Sequence, residues 1–426
     1  MLRKASCICF RILTATTVSV MVLFSVPQGN AQQTSGSVVG RVTDPHGSVV
    51  PGTQITARNK ATALTRTVTA NDQGDYRIDF LPAGTYDLEF VASGFRTINR
   101  TNLEVQVGQF VRADVALVLG EVAQTLDVSA VATTVNTTNS NVGEVVGTRQ
   151  IINLPLVNRN VYSFLQLTPG VQNSTSSISL GYPEQRTFIN GGTDGAMGTV
   201  NYYLDGGPNM TTLRNTGNVV PNPDAIQEFR VDTNNYSAEY GRFGNGVINV
   251  LTRSGTNQLH GSFFEFLRNT ALNANSWGAL TKPPLHRNQF GGTVGGPIVK
   301  NKTFFFATYS GLRQTTTTDL RGAVVPSAAQ RGGDFSAISK PIIDPLTGKQ
   351  FPGNVIPADR IDPTAKAVMD QYIPAANLPN NQYQGQVPSP YNSDELMGKI
   401  DHQLTVKHRL SGSFYTTWGS NNVMPL

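Results

Sequence analysis

The sequence predicts a mainly β protein in three parts: a small β-sandwich, an α+β domain, and the first strands of an antiparallel β-barrel. Three observations predict it. Charged residues make up only 14 % of the 426 residues, against roughly 25 % in ordinary soluble domains. The chain is rich in Gly, Thr and aromatics, a polar but weakly charged composition that leans towards strands. Apolar and polar residues alternate in short runs parted by turn residues, and after about residue 259 the connections between runs alternate long and short.

The N-terminus comes first. Arg3, Lys4 and Arg11 flank the start of an apolar run, ILTATTVSVMVLFSV (Ile12–Val26), which falls short of the roughly 20 residues a spanning helix needs. Gly29 and Ala31 follow as small residues. This order predicts a secretory signal peptide over residues 1–31, and hence export; the competing reading is an N-terminal membrane anchor. Cys7 and Cys9 both precede the apolar run, so the processed chain would hold no disulfide framework and no Cys-ligated metal. The net charge of +5 is diffuse. No run of Lys or Arg could track a phosphate backbone, which argues against a nucleic-acid partner.

From Ser37 to Leu119, segments such as SVVGRVTD, TQITARNK, DYRIDF and TYDLEFVAS alternate at strand period, with PHG, PG, NDQG and PAG between them. Seven such segments in about 80 residues predict a small antiparallel sandwich. The stretches GRVTDPHGSVVPGTQITA and NDQGDYRIDFLPAGTYDLEF, with Gly94 and Phe95, resemble the carboxypeptidase-regulatory-like domain. That resemblance implies a prealbumin-like sandwich over residues 37–119. It also implies a fold catalogued as carbohydrate-binding-like, an analogy that names no site.

The middle part is assigned residues 120–255, including a preceding linker. VYSFLQL reads as a short helix ended by Pro169 and Gly170. RTFINGG, NYYLDGG, IQEFRVDT and GVINVLTRSG read as short strands. Charges sit inside these strands and the apolar residues are dispersed, as suits a domain housed in a polar sleeve.

From residue 257 to 426 the pattern changes. Phe290, Gly292, Val294 and Gly296 share one face of a strand, with Gln289, Gly291 and Thr293 on the other. Leu396, Gly398 and Ile400 alternate with Lys399, Asp401 and Gln403. Asn301–Lys302 and TVKH are tight turns, whereas about Thr315 to Ser393 forms a long Pro- and Gly-rich connection without strong strand signal. Strands of about ten residues, apolar on one face, with tight turns at one end only, describe an outer-membrane barrel.

One question concerns AEYGRFGNGVINVLTRSGTN (Ala238–Asn257): why so much glycine beside charge, just before an aromatic strand? Gly241, Gly244 and Gly246 are expected to allow close backbone approach and positive φ. Glu239, Arg242 and Arg253 would be costly in an apolar core but can stay paired and partly wet against a polar lumen. Gly255 then turns the chain into the first barrel strand. The stretch Pro221–Phe266, which also holds Glu228, Arg230 and Tyr240, resembles the plug-to-barrel junction of TonB-dependent outer-membrane receptors. It is most similar to the Oar-like kind, which carry a regulatory-like domain before the plug. LPLVNRN, LTPGV, NYYLDGG and GGPIVKNKTFFFATYSGLR are similar to that family too.

The resemblance implies an α+β plug, a barrel in outer-membrane lipid, and energy-coupled uptake of a scarce ligand. It also implies a TonB-like periplasmic partner, which pairs with a short strand of the receptor. The nearest segment is Thr125, Leu126, Asp127, Val128, Ser129 and Ala130. It is a weak match, and reads equally as the last strand of a small linker. The family's barrels have about 22 strands, whereas about five are counted here; the expectation is a fragment of a longer reading frame. The ligand is open, from small molecule to carbohydrate or peptide. No HExxH, GxSxG or P-loop pattern occurs, so no catalytic residue, cofactor or metal is assigned. The alternative function is an exported glycan- or protein-binding surface protein without transport activity.

Overall fold

The computed structural model describes residues 34–120, 125–129, 140–154, 156, 159–174, 178–179, 182–183, 186–189, 199–211, 217–219, 221–275, 282, 284–406 and 408–421. The segment read as a signal peptide lies outside them. The chain divides into two compact units, Met1–Ser177 with Pro183–Arg253, and Ile178–Tyr182 with Ser254–Leu426.

The first unit opens with the sandwich. One sheet joins β1 (Ser35–Thr43) to β4 (Asp75–Pro82), β7 (Phe110–Arg112) and β8 (Val115–Ala116). The other has the order β3 (Thr65–Thr69), β2 (Gln54–Asn59), β5 (Gly84–Val91), β6 (Thr97–Val105) and β9 (Thr125–Ser129). Val38, Ile55, Ile78, Tyr86, Leu88 and Phe90 fill the space between the sheets with almost no exposure. Period-2 alternation produces this layering, because each strand sends every second side chain inward. The turns are closed by the residues that announced them. Asp44 accepts from the His46 and Ser48 amides, and Asn71 from those of Gln73 and Asp75.

The sandwich is not purely antiparallel as expected. β7 and β8 run parallel to β1, and β9 runs parallel to β6. After β6 the chain crosses from one sheet to the other and meets β1 running in its own direction. A crossover, unlike a hairpin, gives parallel pairing.

The middle domain centres on a five-stranded sheet in the order β10 (Val142–Gly147), β17 (Ile226–Asn234), β18 (Val247–Thr252), β15 (Asn201–Leu204) and β16 (Gly207–Pro208). A helix, α1 (Thr148–Asn153), and a 3₁₀ helix, Val161–Leu167, cover one face. The predicted VYSFLQL helix is thus present in its tighter form, with the Asn160 side chain capping the Tyr162 amide. Phe164 stacks on Phe229, and Tyr162 meets Tyr202 edge-on. β11 (Val171–Ser174) pairs with β14 (Arg186–Ile189), and β12 (Ile178–Ser179), which belongs to the second unit, pairs with β13 (Tyr182–Pro183).

The second unit is a long-stranded antiparallel sheet. Its order is β19 (His260–Asn269), β20 (Leu285–Val299), β21 (Thr303–Val324), β23 (Tyr391–Gln403) and β24 (Arg409–Asn421), with β22 (Gln382–Pro388) paired to the far end of β21. Among the described residues the sheet is open, with β19 and β24 as its edges. β20, β21, β23 and β24 exceed the expected length of about ten residues: β21 has 22, because Thr317–Val324 continues it into antiparallel pairing with β22. Its TTTT run carries no apolar alternation, so nothing in the pattern marks it as strand.

The 325–381 connection is also more ordered than expected. It holds α2 (Ala328–Arg331) and α3 (Pro363–Tyr372). Asn354 accepts from the Ile342 amide and Gln350 Nε2, and donates to the Ile338 and Lys340 carbonyls. Asp344 accepts from Arg360, Thr347 and the Leu346 amide.

Candidate functional site

The charged residues of the junction sequence are placed by β17 and β18. Side chains along β17 alternate. Phe229 and Val231 enter the core beneath the 3₁₀ helix, while Glu228, Arg230 and Asp232 take the opposite face. That face is buried as well: the three residues keep 6 %, 6 % and 5 % of their surface. What meets them is the turn between β6 and β7 of the sandwich. The Val107 amide donates to Glu228 Oε1 at 2.6 Å, and Arg230 Nη1 donates to the Val107 carbonyl at 3.5 Å. Gln227 Nε2 donates to the Ala83 carbonyl at 3.1 Å. Arg230 is held in place by Asp232, with Nε 2.9 and 3.0 Å from the two carboxylate oxygens. Burial pushes the Glu228 carboxyl up to about 7, against the opposing pull of the Val107 amide; Glu104 adds to the rise and Arg230 opposes it.

The glycine-rich loop after β17 departs from expectation. Gly241 and Gly244 do not have positive φ, and a Cβ on either would meet nothing. Arg242 takes the positive φ instead, at 108°, with its guanidinium over the Phe243 ring. Only the later glycines answer to the packing argument. Gly246 has φ 138°, and a Cβ there would lie 2.5 Å from Ile189 Cδ1. A Cβ on Gly255 would lie 2.3 Å from the Phe305 carbonyl oxygen. The loop is pinned by its own backbone: the Phe243 carbonyl accepts from Asn201 Nδ2 at 2.8 Å and from the Tyr236 hydroxyl at 3.1 Å. Tyr240 packs against Tyr203, and burial, with Glu239 beside it, pushes its hydroxyl up to about 12. The Glu239 amide faces Ser237 Oγ at 3.4 Å.

Arg253 ends the first unit. Its amide donates to the Ala225 carbonyl at 2.8 Å and its Nε to the Ile226 carbonyl at 3.3 Å. Burial lowers its pKa, with Asp224 pulling the other way. Asp224 in turn pairs with Arg159. Asp205 fixes the end of β18 through the Thr252 amide at 2.9 Å and hydroxyl at 2.5 Å. Arg159, Asp205, Asp224 and Asp232 were not singled out in the sequence. For Asp232 the signal was present, since it follows Glu228 and Arg230 at strand period.

The candidate partner-binding segment, Thr125–Ser129, is β9, an edge strand in register with Thr97–Thr101 of β6. Ala130 lies outside the described residues.

In the second unit the polarity is inverted relative to a soluble sheet. On one face lie Val294, Ile298, Leu396, Ile400, Leu410, Phe414 and Trp418, all exposed. On the other lie Gln289, Thr293, Thr308, Ser310, Lys399 and Asp401, all buried. Asp401 accepts from Arg409 Nη2 and Ser411 Oγ, both at 2.7 Å. Asn257 and Asn301 bond reciprocally at 2.8 Å, at the end where β20 turns into β21.

Apolar side chains outward and polar side chains inward on long antiparallel strands define a transmembrane β-barrel domain. Residues 251–425 match the outer membrane beta barrel domain family, and residues 37–118 the carboxypeptidase regulatory-like domain family. The chain therefore belongs to the outer membrane, and carries a regulatory-like sandwich ahead of its barrel strands. It is similar to the TonB-dependent transporter Oar of Myxococcus xanthus, at 29 % identity over 300 residues, covering 65 % of this chain and 26 % of that protein. The chain thus spans about a quarter of the length of that curated relative. Among solved structures it is similar to the siderophore receptor PirA of Acinetobacter baumannii, with TM-score 0.37, 16 % identity, and 66 % and 32 % of the two chains covered. The outer membrane transporter YddB of Escherichia coli gives TM-score 0.39, 13 % identity, and 66 % and 33 %.

Proposed function

We propose that this chain forms the periplasmic sandwich, the plug and the first barrel strands of a receptor for TonB-coupled uptake of a scarce ligand. One observation carries the reading. A compact α+β domain with its own core ends at Thr252, and an inside-out sheet of membrane type begins at His260. A compact domain that leads directly in sequence into the first strand of a barrel is suited to act as the plug of its lumen. The similarity to the transporter Oar supports the same assignment. In this reading the middle domain is the plug, and Glu239, Arg242, Arg253 and Gly255 belong to its junction with the barrel. Thr125–Ser129 is the strand offered to the energising protein. Chemistry on the ligand is no part of the function, and the ligand's class is left open.

The test uses the full-length receptor in cells. Its sequence over these residues has cysteines only at Cys7 and Cys9, so Val128→Cys supplies a clean reporter. A disulfide cross-link to a cysteine-bearing TonB-like partner is expected at this position and absent from an exposed sandwich position such as Gln73→Cys. A receptor that reaches the outer membrane but never cross-links from the segment 125–129 would sink the coupling role. It would favour a surface-binding protein instead.

A further inference from the structure

The face of β17 opposite its core is a docking surface, and its occupant is the β6–β7 turn of the sandwich. Three features show that it is built for docking. First, Val107 is 2 % exposed, yet it is not among the residues of the sandwich core; it is covered where it meets the middle domain. Second, both backbone groups of Val107 are used, the amide by Glu228 and the carbonyl by Arg230. Third, Gly108 has φ 64°, and a Cβ there would lie 3.4 Å from Arg230 Cδ, so the turn rests directly on the arginine stem.

The charges at this seam are unevenly matched. Arg230 is neutralised by Asp232 on the same strand. Glu228 accepts from the Val107 amide and faces Glu104 of β6 across the seam. The cross-strand neighbours of Glu228 are Gly147 on β10 and Leu251 on β18, and neither carries charge. An ionised Glu228 is thus kept dry with little compensation. A neutral Glu228 still offers its carbonyl oxygen to the Val107 amide at lower desolvation cost.

We propose that the sandwich is latched to the middle domain by a proton: neutral Glu228 seats the Val107–Gly108 turn on β17, and ionisation of Glu228 loosens it. The sign follows from linkage. Burial at the seam raises the Glu228 pKa from its ordinary 4.5 to about 7, so the docked form holds the proton more tightly. The latch is strongest below the ordinary carboxylate range and weakens as pH rises to about 7. This inference stands on the sandwich and middle domain alone and holds whether or not the protein transports anything.

The experiment is hydrogen exchange on the full-length receptor in detergent between pH 5 and pH 8, with rates corrected for intrinsic base catalysis. Protection of the Val107 amide should fall at least tenfold across that range, while the amides of Val231 and Ile248 in the middle core keep theirs. Glu228→Gln should hold Val107 at its low-pH protection throughout. Constant Val107 protection in the native receptor would overturn the proposal, as would an unchanged pH response in Glu228→Gln. The native series alone decides if Glu228→Gln disturbs the core amides.

Discussion

The sandwich and the membrane sheet are built from the same strand alternation and solve opposite problems. In the sandwich, Ile55, Leu88 and Phe90 point between two sheets and are fully buried, while charged pairs such as Arg41–Asp75 lie in water. In the membrane sheet, Ile400 and Phe414 keep 52 % and 62 % of their surface, and Lys399 and Asp401 keep 5 % and 3 %. A period of two residues therefore does not say which face is inside. The solvent decides, and length and loop spacing reveal the solvent: ten or more residues per strand and tight turns at one end belong to a bilayer.

Substitutions can break or sharpen this contrast. The largest effect is expected in the sandwich core. Phe90→Ala removes a ring packed edge-on against Tyr76 and should cost about 3–5 kcal/mol, read by denaturant unfolding of the sandwich signal. In the membrane sheet the sensitive substitution is a charge. Ile400→Arg should cost about 2–4 kcal/mol at the bilayer midplane, measured by reversible folding of the barrel-bearing protein into liposomes. Ser413→Arg, on the opposite face, should cost far less. Equal costs at the two positions would erase the inside-out assignment.

Smaller still is Tyr76→Phe, which strips the buried Ala113 carbonyl of its 2.6 Å donor. It should cost about 1–3 kcal/mol by the same denaturant measurement. The smallest is Arg41→Ala. Both ends of the Arg41–Asp75 pair are water-exposed, so no resolvable change in midpoint is expected.

The parts legible in the sequence were those set by periodicity and turn chemistry. PHG and NDQG marked turns closed by Asp44 and Asn71, and the alternation of Leu396 to Gln403 placed Lys399 and Asp401 on the polar face. What stayed hidden was set by partners far away in the chain. Nothing near Glu228 in sequence announces Val107, which lies 121 residues earlier. Gly241 and Gly244 look like tight-packing glycines and pack against nothing, whereas Arg242 carries the positive φ beside them. The fold of residues 325–381 escaped notice for a similar reason. Single polar side chains, Asn354 and Asp344, gather its backbone, and neither sits in a periodic run.

That connection leaves β21 and returns to β22 at one point, where the Val325 amide donates to the Asn381 carbonyl at 2.9 Å. Its two ends are stapled and its interior is self-supporting. The connection is therefore an insert with a fold of its own, a cassette set between two paired strands whose register is fixed by their own backbone ladder.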